Sequence, residues 1–171
     1  MGVLSSTSIK ELIQKGKLII KPLDEGQIQP ASVDLRLANE VMKVEGQNCI
    51  EFGKEVKYRK TVSDKITLEP KTHILVRTIE YTGLPNNVAG IIKLRSSLSR
   101  IGVMLNNAGW IDPGFKGTIT LSMFNSNNIP VKIKTGERFV QLILIRLDKE
   151  SSGYSGKYLE QIEITGNRHI H

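Results

Sequence analysis

The sequence predicts an all-β fold, a distorted jelly-roll or β-barrel with short helices at its edge. After residue 17 the apolar residues alternate with polar ones or form short continuous runs, as they do in strands. Segments rich in Gly, Pro, Asn and Ser separate these runs, a spacing typical of a sandwich or barrel rather than of βαβ units. The 171 residues are expected to form a single domain, because a chain of this length supports one core.

One short helix is expected to open the chain. Ser8 followed by Glu11 is a capping-box pattern, and Gly16 can end the helix in a left-handed conformation. The predicted strands then follow at 18–20, 33–37, 66–68, 74–79, 119–124, 131–133, 139–147 and 159–164. The segment 151–171, which has Ser and Gly ahead of Lys157, is predicted to be a mobile lid that orders over a bound ligand.

Composition excludes several classes of protein. The longest apolar runs are shorter than the ~20 residues that cross a bilayer, and the N-terminus lacks a signal-peptide layout, so we expect a cytoplasmic protein with no membrane partner. The single cysteine, Cys49, and the three histidines provide no zinc-binding spacing, which excludes the zinc-dependent deaminases. A net charge of +7 favours a polyanionic partner. Aromatic residues make up only 5% of the chain, which argues against nucleic acid.

Two segments contain residue types suited to phosphate chemistry. Residues 95–100, Arg-Ser-Ser-Leu-Ser-Arg, place two guanidiniums around three hydroxyls, a mixture that suits a triphosphate. A solvated basic loop is the alternative interpretation. In the segment 108–117, Asp112 precedes Pro-Gly. It is either a turn former or a general base that deprotonates an attacking water.

Two further segments are ambiguous when considered alone. In the segment 29–37, Asp34 and Arg36 share one face of a strand, which amphipathicity alone explains. In the segment 136–142, Gln141 interrupts an apolar run. A buried Gln must find hydrogen-bond partners, so it either ties loops together or contacts a ligand.

Taken in order, the four segments resemble motifs of the dUTPase and dCTP deaminase superfamily, over residues 8–168. The matching stretches are Ser-Val-Asp-Leu at 32–35, Arg-Ser-Ser-Leu at 95–98, Gly-Trp-Ile-Asp-Pro-Gly-Phe-Lys-Gly at 109–117, and Gly-x-Arg-x-x-Gln at 136–141. Phe115 stands where that superfamily has Tyr. The segments 29–37 and 154–161 are similar to the dCTP deaminase branch, which includes bifunctional archaeal-type enzymes.

The resemblance implies a dUTPase-like barrel that forms a homotrimer with active sites between subunits. Each site would hold a deoxynucleoside triphosphate with Mg²⁺, which phosphate oxygens and water would coordinate and Asp34 would assist through water. Asp112 would be the catalytic base, and Asn106, Asn107 or Trp110 would lie near the base of the nucleotide. The residues expected to bind substrate are Arg95, Ser96, Ser97, Arg100, Asn107, Trp110, Phe115, Arg138, Gln141, Tyr154, Lys157 and Gln161.

One departure from the family pattern decides the functional prediction. Where the deaminase branch has a Glu in a Thr-Leu-Glu pattern, this chain has Ser122. A Ser hydroxyl has no pKa suited to proton transfer near neutral pH. The leading hypothesis is therefore a dUTP diphosphatase that makes dUMP and pyrophosphate. The alternatives are a mono- or bifunctional dCTP deaminase, in which Glu160 or Glu163 replaces the missing acid, and a non-catalytic module that binds a nucleotide or nucleic acid.

Overall fold

The predicted all-β architecture is confirmed in the computed structural model, which describes residues 2–46, 48–106 and 109–168. Two helices and a 3-10 turn, Glu25–Gln27, accompany the strands in these ranges. The helices are α1 (Ser6–Gln14) and α2 (Ser96–Ser99). The strands are β1 (Gly2–Val3), β2 (Ile19–Lys21), β3 (Ile28–Gln29), β4 (Ser32–Val44), β5 (Tyr58–Val62), β6 (Lys65–Leu68), β7 (His73–Thr78), β8 (Tyr81–Gly83), β9 (Val88–Leu94), β10 (Val103–Leu105), β11 (Trp110–Ile111), β12 (Lys116–Gly117), β13 (Thr120–Asn125), β14 (Val131–Lys134) and β15 (Arg138–Arg146).

Most of these strands belong to one curled sheet. Over the described ranges its order is β10-β13-β7-β4-β15-β9-β11, with β1 added to β15 and both β3 and β5 added to β4. A three-stranded sheet, β12-β8-β2, and a two-stranded sheet, β14-β6, complete the fold. All the strand pairings are antiparallel. Sequence-distant strands therefore lie side by side, which brings residues from separate motifs together.

The opening helix is confirmed, but its cap is not the predicted one. Ser5 is the N-cap, and its hydroxyl accepts a hydrogen bond from the Ser8 backbone N–H at 3.3 Å. Ser8 therefore lies inside the first turn and is not the capping residue. Gly16 follows the helix with φ +66°, as expected for a glycine at this position.

The strand predicted at 159–164 is wrong. Glu160 has φ +58°, a left-handed conformation that interrupts an extended strand. A single bridge between Gly117 and Gln161 remains there, as the chain passes beside β12. Sequence patterns also missed β9, where Gly90 breaks the apolar run. A Cβ at Gly90 would lie 2.8 Å from Leu142 Cδ1, so any other residue there would have to displace the Leu142 side chain of β15.

The core lies between the inner face of the large sheet and the small sheets. Alternate residues of β7 and β13 are buried while their neighbours are part-exposed or exposed, the pattern of a sheet with one buried face. Central β15 contributes Phe139, Val140, Leu142 and Leu144, each fully buried. The other face of β4, β5, β7 and β13 carries polar and charged side chains, and we call it the outer face.

An ion-pair cluster joins three strands on the outer face. Glu40 on β4 pairs with Arg77 on β7 and with Lys60 on β5. Lys60 also reaches Glu163, with 3.2 Å between the charged atoms, so the C-terminal segment is tied to the same cluster. Burial raises the pKa of Glu40, but the hydrogen bonds from Lys60 and Arg77 outweigh it and lower that pKa below its ordinary value.

Replacing Glu40 is expected to destabilise the fold in a pH-dependent way. Glu40→Gln should lower the free energy of unfolding by about 1–2 kcal/mol at pH 7, because two cations lose their partner. A carboxylate with a lowered pKa stabilises the fold above its unfolded-state pKa and loses that effect as pH falls through the folded one. The difference between wild type and variant should therefore shrink below about pH 4.5.

Denaturant titrations from pH 3 to pH 8 measure this difference. The matched control is Glu163→Gln, which makes the same change on a side chain that is 75% exposed and should cost less than about 0.5 kcal/mol. A loss for Glu40→Gln that stays the same at every pH would show that its charge does not stabilise the fold.

Candidate functional site

A cavity of about 440 Å³ lies against the outer face, between β13 and the C-terminal segment. Its walls include four residues predicted from the sequence to bind substrate and the predicted catalytic base. These are Trp110, Phe115, Tyr154, Gln161 and Asp112. The wall formed by the sheet consists of Tyr58, Leu75, Asn106, Thr120 and Ser122.

A tight turn positions Asp112. β11 ends at Ile111, and the Phe115 N–H donates to the Asp112 carbonyl at 3.2 Å to close the turn. Gly114 adopts φ +78°, and a Cβ there would meet Asn86, Gly153 and Tyr154 within 2.9 Å. The glycine is therefore required both by its backbone and by its neighbours. The indole Nε1–H of Trp110 donates to Asp112 Oδ1 at 2.8 Å and orients the carboxylate toward the cavity.

Two aromatic rings form an apolar wall next to this turn. Phe115 is 6% exposed, and its ring centroid lies 5.9 Å from that of Tyr154 at an interplanar angle of 55°. The Tyr154 N–H donates to the Pro113 carbonyl at 2.7 Å, so the C-terminal segment is tied to the turn that holds Asp112. An apolar, aromatic wall of this kind suits a sugar or a base.

Gln161 closes the far side of the cavity. Its Nε2 donates to the Thr118 carbonyl at 2.7 Å, and its own carbonyl accepts from the Thr118 N–H at 2.8 Å. Gly117 makes this approach possible, because a Cβ there would lie 2.7 Å from the Gln161 carbonyl oxygen. Gln161 Oε1 is buried and has no hydrogen-bond partner. A ligand donor in the cavity would satisfy it.

The rest of the C-terminal segment runs over the same cavity. Thr165 N–H donates to Thr120 Oγ1 at 3.2 Å, and Lys157 Nζ donates to the Arg168 carbonyl and lies 5.2 Å from the centre of the Tyr158 ring. Lys157 therefore contacts two residues of its own segment and does not itself line the cavity, although Tyr158 does. The mobility predicted for this segment stays a prediction.

A second cluster gathers around Asp34 on β4. Asp34 is 1% exposed, and its Oδ2 lies 3.3 Å from Arg95 Nε and 3.5 Å from Arg138 Nη1. Arg95 Nη1 also donates to the Arg138 carbonyl at 3.1 Å. Asp34 Oδ1 is buried and has no hydrogen-bond partner. The cluster thus presents two part-exposed guanidiniums that a buried carboxylate holds in place, an arrangement suited to a phosphate chain.

The remaining predicted phosphate residues lie beside this cluster. Arg95 is the N-cap of the one-turn helix α2, so Ser96 and Ser97 follow it directly and are exposed. Arg100 is the exposed C-cap of the same helix. Gln141 lies opposite Asp34 in the pairing of β15 with β4. Three sequence-distant motifs are therefore brought together at one place.

A buried polar network that the sequence did not indicate positions the strand that carries Asp34. Glu80, which is fully buried, accepts from Arg36 Nε at 2.7 Å and from Gln27 Nε2 at 2.9 Å. Gln27 Nε2 also donates to the Asp34 carbonyl at 2.7 Å. The capping-box pattern of Asp24 and Gln27 was its only local sequence signal.

The two clusters do not meet within one chain. None of Arg95, Ser96, Ser97, Arg100, Arg138, Gln141 and Lys157 lines the cavity that holds Asp112. Asn107, predicted near the nucleotide base, lies outside the described residues. The structure therefore groups the predicted site residues into a cavity cluster and an arginine cluster.

One contact at the cavity had no signal in the sequence. Ser122 lines it from β13, and the Ser122 Oγ lies 2.6 Å from Nε2 of His73 on β7. Burial lowers the pKa of His73 below its ordinary value, which favours the neutral imidazole at pH 7. The two residues are 49 positions apart, so only the register of β7 with β13 reveals the pair.

The metal predicted for the site fits only as part of the substrate. No group of three or more potential metal ligands of the His, Cys, Asp and Glu types occurs in the described part of the chain. Asp34 offers one carboxylate, and the two guanidiniums beside it oppose direct binding of a cation. These residues suit a Mg²⁺ ion held by phosphate oxygens and water, with Asp34 acting through water.

Comparison with known proteins identifies the family. Residues 3–147 match the family model described as dCTP deaminase-like. The chain belongs to the dCTP deaminase-like family. A relative from Aquifex aeolicus named "dCTP deaminase, dUMP-forming" is 40% identical, over 97% of this chain and 94% of its own. A Pyrococcus horikoshii relative named "dCTP deaminase" is 41% identical over 83% of this chain and 85% of its own.

These relatives overturn the leading functional prediction of a plain dUTP diphosphatase. Further members named dUMP-forming dCTP deaminases, from Sulfurihydrogenibium and Persephonella marina, are each 39% identical over 97% of this chain. The prediction treated Ser122 as an isolated hydroxyl. In the structure that hydroxyl contacts His73, so the absence of a carboxylate does not leave this wall without a proton acceptor.

Solved structures agree on the fold of this dCTP deaminase-like chain. A dCTP deaminase from Agrobacterium tumefaciens matches with a TM-score of 0.69 and 23% identity, over 85% of this chain. The chain spans about half of the Agrobacterium chain, 48% of its length. A dUTPase of Staphylococcus bacteriophage 80alpha matches with a TM-score of 0.51 and 15% identity, over 82% of this chain and 97% of its own.

In the described ranges, no helix combines the length and the hydropathy that a transmembrane span requires.

Proposed function

We propose that this protein deaminates dCTP and hydrolyses the triphosphate, releasing ammonia, pyrophosphate and dUMP. The observation that carries the proposal is the cavity cluster, in a chain about 40% identical over nearly its full length to a relative named for this reaction. The cavity combines an apolar aromatic wall with the groups that the two reactions need, a carboxylate and a hydroxyl in contact with an imidazole.

The aromatic wall and the arginine cluster have separate tasks in this proposal. The sugar packs on Phe115, and the base lies toward Ser122, where the buried Oε1 of Gln161 accepts a hydrogen bond from the nucleotide. The triphosphate binds Arg95 and Arg138, whose guanidiniums stabilise charge on its oxygens. Mg²⁺ bound to those oxygens would supply further charge neutralisation.

Asp112 serves the hydrolytic step. Its carboxylate orients a water molecule and accepts its proton as the water attacks phosphorus, and pyrophosphate leaves. The hydrogen bond from Trp110 leaves Asp112 Oδ2 free of that contact and able to accept this proton. This role needs only one carboxylate, because the cations carry the phosphate charge.

The separation of the two clusters supports a site shared between subunits. One chain places the arginine cluster away from the cavity, so a nucleotide that binds both needs a second copy of the chain. A ring of three copies would close this arrangement by symmetry, with each cavity facing the arginine cluster of a neighbour. The homotrimer is part of the proposal.

The reaction is tested with purified protein, dCTP and Mg²⁺, by measuring ammonia, pyrophosphate and dUMP in the same samples. The proposal predicts equal molar amounts of the three products. Parallel samples with dUTP are expected to give pyrophosphate without ammonia. A variant preparation, Asp112→Asn, purified in the same way, controls for contaminating phosphatases. Absence of ammonia from dCTP at every enzyme concentration would contradict the proposal.

A further inference from the structure

Ser122 and His73 form a hydrogen-bonded pair at the cavity wall. Ser122 lines the cavity, while His73 does not, so His73 reaches the cavity only through the Ser122 hydroxyl. The 2.6 Å separation between Oγ and Nε2 is short for a hydrogen bond between neutral groups. It is suited to transfer of a proton between the two atoms.

We propose that Ser122 and His73 act as a proton relay for deamination, with Ser122 as the catalytic residue and His73 as the positioning residue behind it. This inference rests on the proposed function and names the groups that handle protons at the base. The relay has one end in the cavity, where the proposal places the attacking water, and the other at an imidazole on the exposed first residue of β7.

The relay balances the atoms of the reaction without a further reagent. As water attacks C4 of cytosine, its proton passes to Ser122 Oγ while the Ser122 hydroxyl proton passes to His73 Nε2. The C4–O bond forms, and the electron pair of the C4–N3 double bond moves to N3, which takes the proton back from the relay. The second proton of the water moves to the amino group, the C4–N bond breaks, and ammonia leaves as the C4 carbonyl forms.

The surroundings of His73 favour the proton-accepting form. On β13, the register places Phe124 opposite His73 and Ser122 opposite Leu75, so no charged side chain faces His73 from that strand. On β7, β4 and β5 the charged groups of the outer face are Arg77, Glu40 and Lys60, and Glu40 pairs with both cations. Tyr58 on β5 is a further titratable group on the same cavity wall. Burial lowers the pKa of His73, which keeps the imidazole neutral at pH 7.

A double-mutant cycle on deamination tests the relay. Ser122→Ala and His73→Gln are each expected to lower kcat for ammonia release from dCTP about 30-fold, with KM changed less than threefold. Because the two residues act as one unit, kcat of the double variant should be no lower than kcat of the less active single variant. Losses that multiply would overturn the relay.

The pH dependence of kcat tests the relay, because replacing a residue with a purely structural role would not change it. Wild-type kcat should fall as pH drops through the pKa of His73, because the imidazole must be neutral to accept a proton. In His73→Gln the remaining kcat is lower, and it should no longer fall as the pH is lowered through this range. An unchanged limb in the variant would overturn the role of His73.

Two controls separate the proton relay from the proposed deaminase function on which it rests. Ser63→Ala removes another hydrogen-bonded serine hydroxyl that does not line the cavity, and ammonia release should stay within twofold. Equal thermal midpoints and equal dCTP affinities would show that the variants fold and bind. Wild-type protein that makes no ammonia contradicts the proposed function, whereas wild-type activity that His73→Gln leaves intact overturns only the relay.

Discussion

Asp112→Asn is expected to lower the rate of pyrophosphate release about 10³-fold while leaving nucleotide binding within threefold. Asn keeps the shape of the side chain and an oxygen that can accept the 2.8 Å hydrogen bond from Trp110. It removes the group that takes the proton from water. Given dCTP, the variant should still release ammonia and should accumulate dUTP in place of dUMP.

Rapid-quench measurement of products, with dCTP affinity by calorimetry, tests this expectation. The matched control is Asp148→Asn, the same acid-to-amide change on an exposed residue whose Oδ1 accepts from Lys149. Its rate should equal that of wild type within twofold. If Asp112→Asn loses binding and turnover equally, Asp112 shapes the site and is not the base.

Arg95→Ala is expected to weaken dCTP binding about 10²-fold and dCMP binding less than threefold. Two charge-assisted hydrogen bonds of about 1.5 kcal/mol each account for this difference. The buried Asp34 holds Arg95 Nε and the Arg138 carbonyl accepts from Nη1, so the guanidinium is fixed and Nη2 is left to donate to the ligand. Arg95→Lys keeps the charge without the paired donors, so its dCTP affinity should lie between those of wild type and Arg95→Ala.

Calorimetric titration with dCTP and with dCMP measures both affinities on the same preparations. Lys132→Ala removes one positive charge from an exposed side chain on β14 and should leave the dCTP affinity within twofold, which excludes a general effect of net charge. Arg95→Ala also leaves Asp34 with Arg138 alone, so its thermal midpoint is recorded. An equal loss of dCTP and dCMP affinity would contradict a role in binding the triphosphate.

Asp112 and Arg95 were both predicted from sequence as site residues, since each belongs to a short motif with its own chemistry, and their roles stay predictions. Asp112-Pro113-Gly114 forms the turn that its residues favour, and Arg95 begins the basic hydroxyl-rich segment. The alternation of apolar and polar residues along the chain also predicted the all-β class, because this alternation depends only on which face of a sheet is buried. The predicted strand at 159–164 was wrong because Glu160 adopts a left-handed backbone that an apolar pattern does not register.

The functional prediction failed for a related reason. Ser122 was judged by its own side chain, and a lone serine is a poor proton acceptor. The 2.6 Å contact with His73 depends on how β7 pairs with β13, and a shift of one residue would turn either side chain to the other face. No local sequence pattern within a few residues of Ser122 indicates that pairing.

By itself the sequence determined the fold class and the Asp112 turn, and it supplied the guanidiniums and hydroxyls of residues 95–100 on which the proposed phosphate binding rests, because turn geometry and side-chain chemistry are local properties. Only the tertiary structure decided that Asp34 would hold Arg95 and Arg138, that Gln161 would pack against Gly117, and that His73 would contact Ser122. The physical reason is that each of these contacts joins strands or segments distant in the chain. Strand register and the packing of the whole sheet set them together.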